Sequence, residues 1–69
     1  MCETVVTPDG AWLHSANELE SAGIPVPGVF IDDWDRDACL CGVDVEGVLE
    51  AAGRAYTVDI PGFYDLVAT

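Results

Sequence analysis

The chain has 69 residues, of which 13 are Asp or Glu and two are Arg, and its formal net charge is −11. A chain of this length forms a single small domain with a marginal core, here residues 1–69. Attraction to phosphate needs cations, so the charge argues against direct binding to nucleic acid or to an anionic membrane. The sequence contains neither a long apolar run nor a signal peptide pattern, which predicts a cytoplasmic protein in a cell or an infected host.

The first half of the sequence predicts three strands and one helix. Two short strands flank a turn at residues 8–10, where Pro fixes one φ angle and Gly permits a positive one. Ser15 and Glu18 match a capping box and predict a short helix, which ends at Gly23. The apolar segment GVFID, residues 28–32, predicts a third strand that runs through the core.

The second half predicts one helix and two strands. Asp44 is a good N-cap, and the residues after it place apolar side chains on one helical face, namely Val45, Val48, Leu49 and Ala52. Gly53 ends this helix, and Pro61-Gly62 then predicts a type II turn between two strands. The order ββαβαββ indicates an α+β domain in which two short helices pack on an antiparallel sheet. The predicted core consists of Trp12, Phe30, Tyr56, Phe63 and the apolar face of the second helix.

The stretch IDDWDRDACLCGVD, which starts at Ile31, admits three functional interpretations, and the first is calcium binding. Asp33, Asp35 and Asp37 take the first, third and fifth positions of an EF-hand-type loop, and Asp44 takes the twelfth. This spacing resembles the calcium loops of bacterial dockerin modules, which also end in Asp. The resemblance implies a calcium ion held by these carboxylates.

The second interpretation is a zinc site. Cys2, His14, Cys39 and Cys41 supply four soft ligands, the number that a closed tetrahedral site needs. A metal would also stabilise so small a core. Three cysteines cannot all pair with one another, and the predicted cytoplasmic location favours reduced thiols. Cys-x-Cys is not the usual zinc knuckle, and buried cysteine often serves only as a small apolar residue.

The third interpretation is protein recognition. In an extended segment, alternate aspartates stand about 6.6 Å apart on one side, similar to the step between phosphates of a nucleic-acid strand. Trp34 is either an exposed aromatic anchor of an interface or a core residue among solvated acids. The predicted contact residues are Asp32, Asp33, Trp34, Asp35, Asp37, Glu46 and Glu50.

The residue inventory argues against an enzyme, because it offers one His, no Lys and no phosphate-binding glycine loop. In size and charge the chain is similar to acidic inhibitors from phages and mobile elements. We therefore expect a non-enzymatic protein without a cofactor, which occludes the basic surface of a partner such as a nucleic-acid-processing enzyme. The alternatives are a metal-stabilised domain, with calcium or zinc, and an acidic surface that serves only solubility or salt adaptation.

Overall fold

In the computed structural model, residues 3–31, 36–37 and 39–68 are described. Their elements are β1 (Thr4–Val6), β2 (Trp12–Leu13), α1 (Ala16–Ser21), α2 (Val45–Ala51), β3 (Tyr56–Ile60) and β4 (Phe63–Leu66), with 3₁₀ turns at Gly28–Phe30 and Leu40–Gly42. Four strands and two short helices confirm the predicted α+β class.

The sheet has the strand order β2-β1-β4-β3, with β1 and β4 at its centre. β1 pairs with β2 in antiparallel orientation, and β3 pairs with β4 in the same way. The two central strands run parallel, with Val5 opposite Tyr64. The sheet is therefore mixed, and the prediction of an antiparallel sheet is wrong at this central pair. Each predicted hairpin formed, but the sequence carries no local signal for how the two hairpins join.

The predicted third strand at residues 28–32 is also wrong over its described part. Gly28–Phe30 is a 3₁₀ turn, in which the amide of Phe30 donates to the carbonyl of Pro27 at 3.0 Å. Ile31 makes only an isolated bridge with Val43. The Val29 side chain is 84% exposed. A short apolar run is ambiguous between element types, and here a local turn after a proline replaces the strand.

Both helices begin and end at the predicted signals. The Ser15 hydroxyl accepts a hydrogen bond from the amide of Glu18 at 3.2 Å, and the Asp44 carboxylate accepts from the amide of Gly47 at 3.1 Å. At the end of α1 the amide of Ile24 donates to the carbonyl of Leu19, two residues after the cap, and Gly23 has a φ of 87°. α2 ends in the same Schellman pattern, so both helices are closed by local hydrogen bonds.

The core lies between one face of the sheet, the inner face, and the two helices. It contains Val5, Leu13, Tyr64 and Leu66 from the strands, and Ala16, Leu19, Val45, Val48 and Leu49 from the helices. The predicted apolar face of α2 is confirmed. Phe30 and Tyr56 are only half-buried and pack against this core. Trp12 is 58% exposed, so its assignment to the core is wrong. Phe63 is half-buried and occupies the opposite face of the sheet from Tyr64.

Candidate functional site: an acidic cluster and an open sheet face

Four carboxylates lie around the place where α2 approaches the sheet, each within electrostatic reach of Glu3 or Tyr56, and we call them the acidic cluster: Glu3, Asp44, Glu46 and Glu50. Asp44 is fixed there as the N-cap of α2, and Glu46 and Glu50 project from the exposed side of that helix. Glu3 directly precedes β1. Its Cγ lies beside Gly62, in the turn between β3 and β4. The parallel pairing of β1 with β4 therefore brings Glu3 to the cluster.

Glu3 lies under the influence of other carboxylates of the cluster. Burial of the carboxyl, followed by the negative charges of Glu46 and Asp44, raises the pKa of Glu3 above its ordinary value. Its Oε2 is buried and has no hydrogen-bond partner among the residues that the structure describes. Within the described residues, the two charges that raise this pKa belong to carboxylates. The cluster therefore places several negative charges close to the start of α2.

Two tyrosines lie beside the acidic cluster. Tyr56 and Tyr64 pack edge to face, with ring centroids 5.8 Å apart. Tyr56 lies within the electrostatic reach of Glu46, Glu50 and Asp44. Burial first, and then the charges of Glu46 and Glu50, raise the pKa of Tyr56, and burial and Glu3 do the same for Tyr64. Both hydroxyls therefore stay protonated at neutral pH and are able to donate hydrogen bonds to carboxylates.

The predicted contact set is only partly described. Asp32, Asp33, Trp34 and Asp35 lie outside the described residues, so their part of the prediction stays a prediction. Asp37 is exposed and accepts a hydrogen bond from the Asn17 side chain in α1. The backbone of Arg36 accepts from the amide of Asn17, and its guanidinium donates to Glu20 at 3.0 Å. Residues 36–37 are thus held against α1, whereas Glu46 and Glu50 lie beside Tyr56 of β3.

The two predicted metal sites are also incompletely described. Asp33 and Asp35 of the calcium set and Cys2 of the zinc set lie outside the described residues. Within residues 3–31, 36–37 and 39–68, no group of three or more His, Cys, Asp and Glu side chains could hold a metal ion. Of the zinc set, His14 is adjacent in sequence to Ser15, which forms an isolated β-bridge with Cys39. Both metal sites therefore stay predictions.

The cysteines of the C-x-C pair lie close together at the surface. The Sγ atoms of Cys39 and Cys41 are 3.0 Å apart, longer than the bond of about 2.05 Å within a disulfide. Cys39 is disulfide-bonded, so the expectation of reduced thiols is wrong at this residue. That expectation depended on the predicted cellular location and not on the geometry of the sulfurs.

The side of the sheet that faces away from the helices forms a second feature, which we call the outer face. Side chains alternate between faces along a strand, and paired residues share a face. With Val5, Leu13 and Tyr64 directed to the core, the pairing assigns the outer face as Thr4, Val6, Trp12, Thr57, Ile60, Phe63 and Asp65. None of these side chains belongs to the core cluster.

The centre of the outer face is aromatic and apolar. The rings of Trp12 and Phe63 meet edge to face, with centroids 5.2 Å apart. His14 lies next to Trp12, with its Nδ1 3.4 Å from the Thr4 hydroxyl. Ile60 is paired with Phe63 and is 64% exposed. The exposed side chains of Trp12 and Ile60 therefore lie on the same face of the sheet, on either side of half-buried Phe63.

Sequence reasoning missed Glu3 and the outer face. Glu3 has no motif around it, and only the long-range pairing of β1 with β4 places it beside α2. For Trp12 a signal was present: Leu13 is the neighbouring residue in the same strand, and adjacent residues cannot both point into one core. The alternation of Trp12, Leu13 and His14 thus identified one face for Leu13 and the other for Trp12.

No family model matches the sequence, and comparison with curated proteins and with solved structures finds no significant similarity. Within the described part of the chain, no helix has both the length and the apolar character needed to cross a membrane.

Proposed function

We propose that this protein is a non-enzymatic, acidic interaction protein that inhibits its partner by covering a basic surface, such as the nucleic-acid-binding groove of an enzyme. The observation that supports this proposal best is the acidic cluster, in which Glu3, Asp44, Glu46 and Glu50 act on one another or on the same tyrosine, and the neighbouring charges named for Glu3 within the described residues are carboxylates. Like charges so placed reduce stability, and a basic partner would relieve the repulsion.

The mechanism is steric occlusion with no chemical turnover. Carboxylates that project from α2 occupy positions that phosphates would otherwise take on the partner, and they direct the encounter through long-range attraction. In this proposal Asp32, Asp33 and Asp35 add further negative charge, with Trp34 as an additional anchor, while Asp37 contributes its charge from beside α1. A cytoplasmic location, in a cell or an infected host, belongs to this proposal because nucleic-acid-processing enzymes reside there.

Two variants that each remove one negative charge test the proposal. Glu46→Gln removes one charge from the acidic cluster. Glu18→Gln removes one charge from α1 and keeps the capping box, because Gln is accepted at that position. The immobilised protein is used to capture partners from a lysate of the source cells, and captured proteins are challenged with duplex DNA and with rising NaCl.

We expect captured proteins that bind nucleic acid, are displaced by duplex DNA and elute within a few hundred millimolar NaCl, because salt screens the attraction. We expect Glu46→Gln to lower the association rate several-fold and Glu18→Gln to leave it unchanged. Equal effects of both variants, or capture that is insensitive to salt and DNA, would refute the proposal.

A further inference from the structure

The outer face has the composition of a recognition surface. Trp is strongly enriched among the residues that dominate binding energy, and aromatic and aliphatic groups form the centre of such surfaces. Trp12 and Ile60 expose more than half of their surface, at 58% and 64%. Both helices pack on the inner face, so no described element of this chain covers the outer face. Its apolar groups are open to a partner.

The border of the outer face is acidic. Asp65 lies on the face itself, opposite Val6 of β1. Asp9 is exposed in the turn between β1 and β2. The described basic residue beside this surface is His14, which lies next to Trp12.

Both arginines of the chain are placed elsewhere. Arg36 pairs with Glu20 of α1 at 3.0 Å, and it also donates to the carbonyl of Val26. Arg54 lies in the connection between α2 and β3, where its amide donates to the carbonyl of Leu49. The outer face therefore combines an apolar centre with negatively charged side chains around it.

We infer that the outer face is a second contact surface for the partner, and that its occupant is a protein segment with an aliphatic side chain flanked by arginine. This inference rests on the proposed function, because it takes the partner to be a basic protein. The aliphatic group would fill the space between Trp12 and Ile60, above the edge of Phe63. An arginine guanidinium would stack on the exposed indole, as cations do on aromatic faces.

The spacing of the sheet makes this arrangement feasible. Trp12 in β2 and Asp65 in β4 are separated by one intervening strand, which places their backbones about 10 Å apart. A guanidinium above the indole could therefore pair with the Asp65 carboxylate through its outward nitrogen atoms.

Charge complementarity also decides between occupants. A second copy of this chain carries the same charge of −11, and an anionic membrane repels the acidic border.

The test uses two short synthetic peptides as probes, one alternating Arg with Leu and one alternating Arg with Ser. Each is titrated into the isotopically labelled full chain at low salt and followed by ¹H–¹⁵N NMR. We expect the Arg/Leu peptide to bind at least about tenfold more tightly than the Arg/Ser peptide. Its largest shifts should fall on the Trp12 indole N–H and on the amides of Thr4, Ile60 and Phe63.

Three variants make the test specific. Trp12→Ser and Ile60→Ser remove exposed groups from the outer face, and each should weaken the Arg/Leu peptide by about tenfold or more. Val29→Ser removes an aliphatic group that is 84% exposed in the 3₁₀ turn, and should have no effect. The spectra themselves report whether each variant remains folded.

The alternative outcomes are distinguishable. If both peptides bind equally and their shifts fall on Glu46 and Glu50, the outer face is not the contact surface, while the proposed function survives. If neither peptide binds at low salt, both proposals fail. If ultracentrifugation shows a dimer that Trp12→Ser abolishes, or if zwitterionic vesicles bind through Trp12, the occupant is a second copy or a lipid surface and the inference is overturned.

Discussion

Replacing Gly47 with Ala should destabilise this protein, although alanine is the better helix former. In an exposed helix interior the change normally gains about 1 kcal/mol. At Gly47, however, a Cβ would lie 2.8 Å from Cε1 of Phe30 and 2.6 Å from Oδ2 of Asp44. Carbon atoms pack at about 3.5–4.0 Å, so both neighbours would have to move.

The two effects can be compared in magnitude. Displacing a packed ring in this way costs about 2 kcal/mol. Moving the Asp44 carboxylate away from the amide of Gly47 loses a cap worth about 1 kcal/mol. Against the propensity gain of about 1 kcal/mol, the net loss is about 2 kcal/mol. In a domain of this size that loss corresponds to a melting temperature lower by about 8–16 °C.

The measurement is urea and thermal unfolding followed by far-UV circular dichroism. Gly28→Ala is the matched control, because a Cβ at Gly28 meets no atom within 4 Å and its φ is not positive. We expect that control to stay within about 0.5 kcal/mol of the wild type. Shortening the ring with Phe30→Leu should recover part of the loss in the Gly47→Ala background. A Gly47→Ala variant as stable as the wild type would refute this steric argument.

Two further predictions concern the acidic cluster. Glu3 has a raised pKa in the folded state, so its stabilising contribution is present below its ordinary pKa of 4.5 and is lost as the pH rises through the raised value. Glu3→Gln should therefore increase stability relative to the wild type progressively from about pH 4 to about pH 7, and a pH-independent difference in urea midpoints would contradict this. Asp44→Asn should be at least as stable as the wild type, because asparagine keeps the cap and removes a charge that acts on Glu3, whereas Asp44→Ala should lose about 1 kcal/mol. Equal melting temperatures for these two variants would show that the cap contributes nothing.

Local elements of this fold could be predicted from the sequence because their causes lie within a few residues. The hydroxyl of Ser15 and the carboxylate of Asp44 cap the amides that sequence spacing assigns to them. Gly10 and Gly62 have the positive φ angles that their turns require. Such contacts depend on chain neighbours only and need no knowledge of tertiary structure.

Long-range features could not be predicted in this way. The parallel pairing of Val5 with Tyr64 joins opposite ends of the described chain, and no residue pattern specifies it. The same pairing decides that Glu3 belongs to the candidate site. For Trp12, the size and apolarity of the side chain suggested burial, whereas strand alternation directs it to the outer face. Large apolar residues at binding surfaces defeat a prediction that is made from hydrophobicity alone.

The parallel contact between β1 and β4 also affects how the protein is made. β1 is synthesised before β4, and until β4 follows it has only the two residues of β2 as a partner. Isolated two-stranded ribbons are marginally stable in water, so a nascent chain that stops before Phe63 should remain unfolded. A truncation within β4 removes a central strand, and we expect that the sheet does not form without it.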